Sequence, residues 1–178
     1  SLVGSEMCIR DRSIRPHVSC RSSSGITSWG CYYTKSVTLY NAEGEKETVS
    51  LVAAADESQM TEYFTFRTRQ GHKAIAFDDS SVILTEKTAE KLGLSVGDSF
   101  EVETTDGGRR SLTLTGITEN YVFTRLYLSQ AQLKTLNGGA LPAWNAVYGQ
   151  TDCPTDAARA SLSSAILACN YVLSLIHI

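Results

Sequence analysis

The stretch that decides the fold runs from Ser81 to Asn120 and reads SVILTEKTAEKLGLSVGDSFEVETTDGGRRSLTLTGITEN. Its first five residues are rich in β-branched side chains, which predicts a strand. The hydroxyl of Thr85 is suited to cap a short helix, in which Ala89 and Leu92 form the apolar stripe. Gly93 follows the last apolar position, where a left-handed residue normally ends a helix. This half of the stretch therefore predicts a strand, a short helix and a glycine stop.

The second half of the stretch predicts a β-hairpin. Phe100 and Val102 alternate with two glutamates, so one face of a strand is expected to be buried and the other solvated. Asp106-Gly107-Gly108 is a strong turn signal because glycine accepts the positive φ that tight turns require. Leu112 and Leu114 alternate with polar residues in the same way on the return strand.

Two further segments connect the predicted elements. Between Gly93 and the turn at Gly97-Asp98, Leu94 and Val96 are expected to fold back onto the core. After the stretch, the segment Ser129-Gln130-Ala131-Gln132 matches a capping box. It predicts a helix with Leu133 and Leu136 on its buried side.

Four motifs in a fixed order resemble a known family. They are Val82–Asp98, the hairpin, Gly116–Tyr121 (GITENY) and Leu126–Ser129 (LYLS). Together they resemble the extracytoplasmic domain of FtsX-like ABC transporter permeases, the MacB-type periplasmic core domain, in the form common in Gram-positive bacteria. The resemblance covers about Ser36–Tyr148 and is strongest over Val82–Leu136.

The resemblance implies a fold, a location and a non-catalytic role. The expected fold class is α+β, with a mixed lobe rich in β-hairpins and short helices beside a smaller α/β sandwich lobe. The domain is expected on the extracytoplasmic face of a bacterial cell membrane, as part of an integral membrane protein. It would work with a separate ABC ATPase subunit through a transmembrane part, and with an extracellular protein or peptide partner. Its role would be to couple ATP-driven membrane motion to the handling of that partner or of a substrate.

The two ends of the chain resemble translated sequencing-adapter sequence. The residues concerned are 1–13 and 172–178, and neither stretch shows a regular hydrophobic period. We therefore expect residues 14–171 to be a fragment of one extracytoplasmic domain. Within it, the hairpin-rich lobe is predicted over 32–128 and the α/β lobe over 129–171.

Composition excludes several classes of protein. The chain has 178 residues, 42% of them hydrophobic and 20% charged, which is typical of a globular domain. Its net charge is −3, with no basic stripe of the kind that nucleic-acid binding requires. Arg67, Arg69 and the pair Arg109-Arg110 lie in predicted turns and are interpreted as solvated charges. No run approaches the roughly 20 apolar residues that a membrane-spanning helix needs.

Residues with chemical potential are few and scattered. Asp78-Asp79 is a candidate carboxylate pair, but adjacent residues in a loop point apart, and no partner for acid–base or metal chemistry stands near it in sequence. His72 lies in a glycine turn and is expected to be exposed. No phosphate-binding glycine loop, nucleophile motif or zinc-protease motif occurs. We therefore predict no catalytic, cofactor-binding or metal-binding residue, and no enzyme.

The cysteines leave three alternatives open. With the N-terminal end set aside, Cys20, Cys31, Cys153 and Cys169 remain. They are compatible with buried thiols, with one or two disulfides in an extracytoplasmic domain, or with metal binding. The metal alternative is the weakest, because there is no Cys-x-x-Cys and His17 lies at no recognisable ligand spacing.

Two alternative functions remain beside the transporter domain. The first is a small β-barrel module of a transcription regulator, which would require a basic face. The second is a non-catalytic part of a secreted hydrolase whose catalytic partners lie outside this fragment. Its test within the fragment is whether His17 or His72 comes within hydrogen-bond reach of a nucleophile. For contact with a partner protein, Trp29, Tyr32 and Trp144 are candidates, although packing in the core is the expected role of each.

Overall fold

The computed structural model describes residues 4–9, 26–120, 123–151, 155–167 and 172–177. In this part of the chain there are ten strands: β1 (Gly4–Ile9), β2 (Ile26–Tyr40), β3 (Lys46–Ala54), β4 (Val82–Thr85), β5 (Ser99–Glu103), β6 (Arg109–Thr113), β7 (Gly116–Thr118), β8 (Arg125–Leu128), β9 (Ala146–Thr151) and β10 (Val172–His177). The helices are α1 (Ser58–Tyr63), α2 (Glu86–Lys91), α3 (Gln130–Leu136) and α4 (Asp156–Leu167). Strands and short helices are mixed along the chain, and the predicted α+β fold class is confirmed.

The chain forms two compact units. The core unit comprises Thr34–Pro142, and the terminal unit comprises Ser1–Tyr33 with Ala143–Ile178. The long strand β2 contributes residues to both units. These limits differ from those of the predicted lobes, so the limits at 32–128 and 129–171 stay predictions.

The core unit is built on a mixed sheet with the strand order β2–β3–β8–β4–β7. Strand β3 runs parallel to β8, β4 runs antiparallel to β8, and β7 runs parallel to β4. The hairpin of β5 and β6 joins this sheet through the pairing of β5 with β2. The end of β2 and the β5–β6 hairpin thus lie at one edge of this sheet, and β7 forms the opposite edge.

The centre of this sheet is buried on both faces. All four residues of β4 and all four of β8 are buried, including the polar Thr85 and Arg125. Such continuous burial requires cover on both sides of a strand. On β5, by contrast, Phe100 and Val102 are buried while the glutamates between them are exposed, as the alternation predicted.

The predicted helix stop is confirmed, and so is the serine cap of the predicted capping box, although the N–H of Ser129 donates to the carbonyl of Ser81 at 3.1 Å and not to Gln132. Ala89 and Leu92 are 2% and 1% exposed, and Gly93 adopts φ +61°. Ser129 precedes α3 and its hydroxyl accepts a hydrogen bond from the backbone N–H of Gln132 at 3.2 Å. The two leucines of α3 are buried.

Two details of the prediction are wrong. Val96 is 59% exposed, because the chain reverses between Gly93 and Gly97, both at positive φ, and the half-buried Leu94 takes the inward position. Thr85 stands at the N-terminus of α2, but its hydroxyl does not cap that helix. It accepts instead from the backbone N–H of Arg125 at 3.1 Å, since that N–H is buried and needs an acceptor.

The terminal unit contains an antiparallel sheet with the order β10–β1–β9–β2. Helix α4 begins after Thr155, whose hydroxyl accepts from the N–H of Ala158 at 3.1 Å. Strands β1 and β10 lie within the ends that resemble adapter sequence, and they pair with each other. The adapter origin of these ends stays a prediction. Among the described residues, no helix is long and apolar enough to span a membrane.

Candidate functional site

The charged side chains that the core unit buries mark its most unusual region. Glu119, just beyond β7, has a side chain that is 7% exposed, and Arg125, at the start of β8, is 5% exposed. Buried ionised groups are costly unless they are paired, so they point to contacts that matter for the unit. Both lie near the end of the sheet at which β4 and β7 finish.

A short hairpin, here called the arm (Phe66–Ile75), packs at this end. Arg67 and Ala74 form a β-bridge, and the N–H of Ile75 donates to the carbonyl of Phe66 at 2.9 Å. The turn at its tip contains Gly71 at φ +75° and His72 at φ +47°. A histidine in the left-handed region is uncommon, and the conformation is imposed by the tight turn.

The arm is fastened along the outer edge of β7. The N–H of Glu119 donates to the carbonyl of Arg67 at 2.9 Å, and the hydroxyl of Thr118 bonds both backbone groups of Arg67 at 3.2 and 3.3 Å. Ile75 lies directly over Gly116, where an added Cβ would come within 2.9 Å of it. The arm therefore supplies the hydrogen-bond partners that an edge strand would otherwise lack.

Glu119 receives two groups from the arm on one of its oxygens. Oε1 pairs with Nε of Arg67 and lies 3.6 Å from Nδ1 of His72. Oε2 is buried and has no hydrogen-bond partner in the described part of the chain. A second ion pair, between Arg69 and Glu86 at 3.4 Å, links the arm to α2. The arm is thus held by charge as well as by backbone bonds.

Aromatic packing anchors the base of the arm. Phe66 is 6% exposed and stacks on Phe77 with a 5.3 Å centroid separation, and Tyr127 meets it edge to face at 5.0 Å. The guanidinium of Arg125 lies 4.4 Å from the centroid of the Phe123 ring. Burial raises the pKa of Tyr127, although Arg125 counteracts this. The phenol is therefore un-ionised at neutral pH and serves as a hydrogen-bonding member of the core.

Carboxylates collect where β4 begins. Asp78 and Asp79 precede β4, and Asp56 and Glu57 follow β3. We call these four residues the acidic cluster. Burial raises the pKa of the Glu57 carboxyl, and contact with Asp79 raises it further, while the backbone N–H of Gln130 opposes the shift. No lysine or arginine in the described part of the chain forms an ion pair with the cluster.

Asp78 and Asp79 take part in the hydrogen bonds of the turn that leads into β4. The Asp78 carboxylate accepts from the N–H and the hydroxyl of Ser80 at 2.9 and 2.6 Å, and these bonds lower its pKa. The carbonyl of Asp79 accepts from the hydroxyl of Ser129 at 2.6 Å. Both residues therefore shape the turn into β4. Among the described residues, no group of three or more His, Cys, Asp or Glu is arranged to hold a metal ion.

The His72 side chain lies at the exposed tip of the arm, beside Glu119. His72 is 62% exposed, and its polar partner among the described residues is a carboxylate rather than a hydroxyl or a thiol.

Tyr32 is fully buried in the terminal unit and packs edge to face on Tyr148 at 4.7 Å, the core role expected of it. Trp29 and Trp144 are half-buried.

Of the four candidate cysteines and His17, the structure describes only Cys31. Cys31 lies half-buried in β2. Cys20, Cys153, Cys169 and His17 lie outside the described residues, so the three alternatives for the cysteines stay open.

Sequence reasoning missed the pairing of Arg67 with Glu119. Arg67 was interpreted as a solvated turn residue, whereas its guanidinium contacts a buried carboxylate. A weak signal was present, because Glu119 directly follows the short β-branched run of β7, where burial is common. The 52 residues that separate the partners carry no pattern that would connect them.

The fold is that of the extracytoplasmic domains of ABC-type transporter permeases, and the resemblance inferred from the four motifs is confirmed at this level. The structure is similar to the extracellular domain of the noncanonic ABC-type transporter YknZ from Gram-positive bacteria, with a TM-score of 0.54 and 16% sequence identity over 91% of this chain and 88% of that one. It is also similar to the periplasmic region of MacB from Actinobacillus actinomycetemcomitans, with a TM-score of 0.51 and 14% identity over 100% of this chain and 88% of that one. No protein-family model and no curated sequence matches the chain.

Proposed function

We propose that the chain is the non-catalytic extracytoplasmic domain of an FtsX-like ABC transporter permease. In this role it couples ATP-driven motion of membrane helices to a substrate or protein partner outside the membrane. The observation that carries the proposal is the likeness of fold to two such domains over at least 91% of the chain. A fold alone does not define a function, so the use of the polar residues is the second line of support.

Several polar residues of the core unit form contacts that hold it together. Glu119 pairs with the arm, and Asp78 closes a turn. The hydroxyl of Ser129 both donates to Asp79 and caps α3. A catalytic site would instead gather such groups around a reacting atom. The arrangement is suited to a body that transmits displacement without changing its own shape.

The proposed coupling requires a membrane-embedded part and an ATPase subunit. In the uninterrupted gene we expect a transmembrane segment before this region, more of them after it, and an ATPase gene beside it. A self-contained reading frame without such segments would refute the proposal.

Labelling in intact cells tests the proposed location. In the complete permease, with native cysteines replaced by serine, Asp106→Cys places a single thiol at the exposed tip of the β5–β6 hairpin. A membrane-impermeant maleimide is expected to label it in intact cells. Val102→Cys is the matched control, because Val102 is fully buried and its thiol should react only after denaturation. Labelling of the Asp106 position only after the cells are permeabilised would place the domain inside and contradict the proposal.

Deletion tests the proposed coupling. Replacing residues 34–142 by a short flexible linker should abolish the transporter's export or resistance phenotype. The permease should still reach the membrane and bind its ATPase subunit, since those steps belong to the transmembrane part. Retention of the phenotype would show that the core unit is not needed for coupling.

A further inference from the structure

Strand β6 forms an edge of the sheet in the core unit. In the described part of the chain it pairs with β5 and with no other strand, whereas the arm covers the opposite edge, β7. Proteins commonly block an edge strand with a proline or a β-bulge. The sequence of β6 contains no proline, and its register with β5 is regular. This edge therefore remains a template on which a further strand can pair.

The pairing of β6 with β5 fixes which backbone groups point outward. The N–H of Leu114 donates to the carbonyl of Asp98 at 2.8 Å. Every second residue of an antiparallel strand bonds to a given neighbour, so the even-numbered residues of β6 bond to β5. The odd-numbered residues Arg109, Ser111 and Thr113 turn their N–H and C=O groups away from it. These groups have no hydrogen-bond partner in the described part of the chain.

The two arginines of β6 point back over the core unit and do not project from its edge. The guanidinium of Arg109 lies 3.6 Å from the centroid of the Tyr40 ring on β2 and 3.3 Å from Glu101 on β5. Nη2 of Arg110 lies near Gly138, where an added Cβ would come within 3.5 Å of it. Gly138 follows α3, which packs on β3 and β8 in the interior of the sheet. Charged side chains protect an edge when they obstruct an incoming strand, and these two leave the edge of β6 accessible.

Exposed apolar side chains lie in two segments that adjoin β6. Val96 is 59% exposed and Leu141 is 41% exposed. Val96 precedes Gly97, whose N–H donates to the carbonyl of Leu114 just beyond β6 at 2.8 Å. Leu141 belongs to the loop after α3 that Arg110 approaches. A strand added to β6 would therefore find apolar surface close to its backbone partners.

We propose that β6 binds an extended segment of a partner polypeptide, which joins the sheet as an antiparallel strand. Residues of the segment opposite Arg109, Ser111 and Thr113 exchange backbone hydrogen bonds with them. The residues between these lie opposite Arg110 and Leu112, where side chains of neighbouring strands are closest. Arg110 has no carboxylate within ion-pair distance among the described residues, so an acidic residue suits it, and an apolar residue suits Leu112. Along its own chain, the segment thus has an apolar residue two positions before an acidic one.

A second copy of the chain fits this edge less well. If two β6 strands paired symmetrically about Ser111, each Arg110 would face Leu112 of the other copy and would gain no carboxylate. Two five-residue strands also bury far less than the roughly 1,000 Å² that a stable protein interface needs. The proposal depends on the geometry of β6 and not on the proposed transporter function.

Titration of the full chain with a synthetic peptide tests the contact. The probe acetyl-TVTVTET-amide places its glutamate opposite Arg110 and its central valine opposite Leu112, and its last three threonines pair with the outward backbone groups. At about 1 mM peptide, the weak end of specific binding, the amide resonances of β6 and of Val96 should shift in heteronuclear NMR spectra. The three outward amides of β6 should also exchange more slowly with solvent. Unshifted β6 resonances, or shifts confined to other elements, would overturn the proposal.

Backbone substitutions identify the hydrogen bonds. N-methylation of the last three threonines of the probe removes its donors to β6 and should abolish binding, whereas N-methylation of its two valines and its glutamate should not. Ser111→Pro removes an outward N–H at a position where an edge strand tolerates proline, and Ser111→Ala retains it. The proline variant should lose binding, and the alanine variant should bind like the wild type. Equal binding within either pair contradicts the proposal, and the peptide pair decides alone if the proline variant does not fold by circular dichroism.

Exchange of charge tests the register of the side chains. Arg110→Glu should weaken binding of the glutamate probe about two- to tenfold and should favour acetyl-TVTVTKT-amide by a similar factor. Lys46→Glu makes the same change in net charge at an exposed lysine of β3 and should leave the preference unchanged. An unchanged preference in Arg110→Glu would contradict the register. If the chain instead associates without peptide and Ser111→Pro prevents this, the occupant is a second copy and the proposal is wrong.

Discussion

Removing the guanidinium of Arg67 should loosen the arm, because it leaves a buried carboxylate without its main partner. In Arg67→Ala, Oε1 of Glu119 would retain only His72 at 3.6 Å, and Oε2 has no partner among the described residues. The side chain of Glu119 is 7% exposed, so water cannot readily replace the lost contact. We expect the arm to open more often and the core unit to lose stability.

The expected magnitude follows from the unequal burial of the two partners. Breaking a fully buried ion pair costs about 3–5 kcal/mol, and breaking an exposed pair costs about 0–1 kcal/mol. Arg67 is 46% exposed while Glu119 is almost covered. We therefore expect Arg67→Ala to cost about 1–3 kcal/mol, which is the range for leaving a buried polar group unsatisfied.

A double-mutant cycle separates the charge effect from lost packing. Glu119→Gln keeps the shape of the side chain and removes its charge, so it should cost less than Arg67→Ala. The double variant should be more stable than Arg67→Ala alone, because no uncompensated charge remains buried. A coupling free energy of about 1–2 kcal/mol is expected between the two positions.

Amide hydrogen exchange in the arm is the appropriate assay, together with urea unfolding followed by far-UV circular dichroism. The amides of Thr68 and Ile75 are bonded across the arm, and in Arg67→Ala they should exchange about 5–150 times faster. Arg69→Ala is the control, because it lies on the same arm but pairs with the less buried Glu86. An equal effect of the two alanine variants, or a double variant no more stable than Arg67→Ala, would refute the reasoning.

Three further perturbations have defined outcomes. Gly116→Ala should lower the free energy of unfolding by about 1–3 kcal/mol, because the new Cβ would lie 2.9 Å from Ile75. The urea midpoint should fall accordingly, and an unchanged midpoint would contradict this contact. Ser129→Ala removes both the cap of α3 and the 2.6 Å hydrogen bond to the carbonyl of Asp79. The free energy of unfolding, measured by the same assay, is expected to fall by about 1–2 kcal/mol. A loss below about 0.5 kcal/mol, half the usual capping value, would show that water replaces the hydroxyl. The pKa of Glu57 is raised in the folded state by burial and by Asp79, so the ionised carboxyl weakens folding above that pKa, and the penalty disappears as the pH falls through it. Glu57→Gln should therefore raise the urea midpoint at pH 7 but not near pH 3.5, and the opposite pH dependence would show that the sign is wrong.

Local elements of the central stretch were predictable because their signals lie within a few residues of each other. The helix stop at Gly93, the hairpin at Gly107 and the cap at Ser129 each depend on backbone geometry that one residue type satisfies best. Alternation along β5 likewise predicted which side chains are buried. The error at Val96 arose where apolar character was taken to mean burial, although the turn decides the direction of the side chain.

The arm and its contacts were not predictable in this way. Sequence places Arg67 and His72 in a polar turn, and nothing near them indicates a buried carboxylate 52 residues away. The position of Asp56 and Glu57 beside Asp78 and Asp79 depends on the relative directions of β3, β4 and β8. Parallel and antiparallel neighbours cannot be distinguished from hydrophobic patterns alone.

The sequence by itself determined the α+β class, the order of elements in the stretch from Ser81 to Asn120, and the resemblance to permease domains. It could do so because turns, caps and alternation are local consequences of side-chain chemistry. Only the tertiary structure decided that Glu119 is buried against the arm, and that the end of β3 and the start of β4 bring the carboxylates of the acidic cluster to the same end of one sheet. Burial and long-range pairing are properties of how strands are arranged in space, and the same local pattern is compatible with several such arrangements.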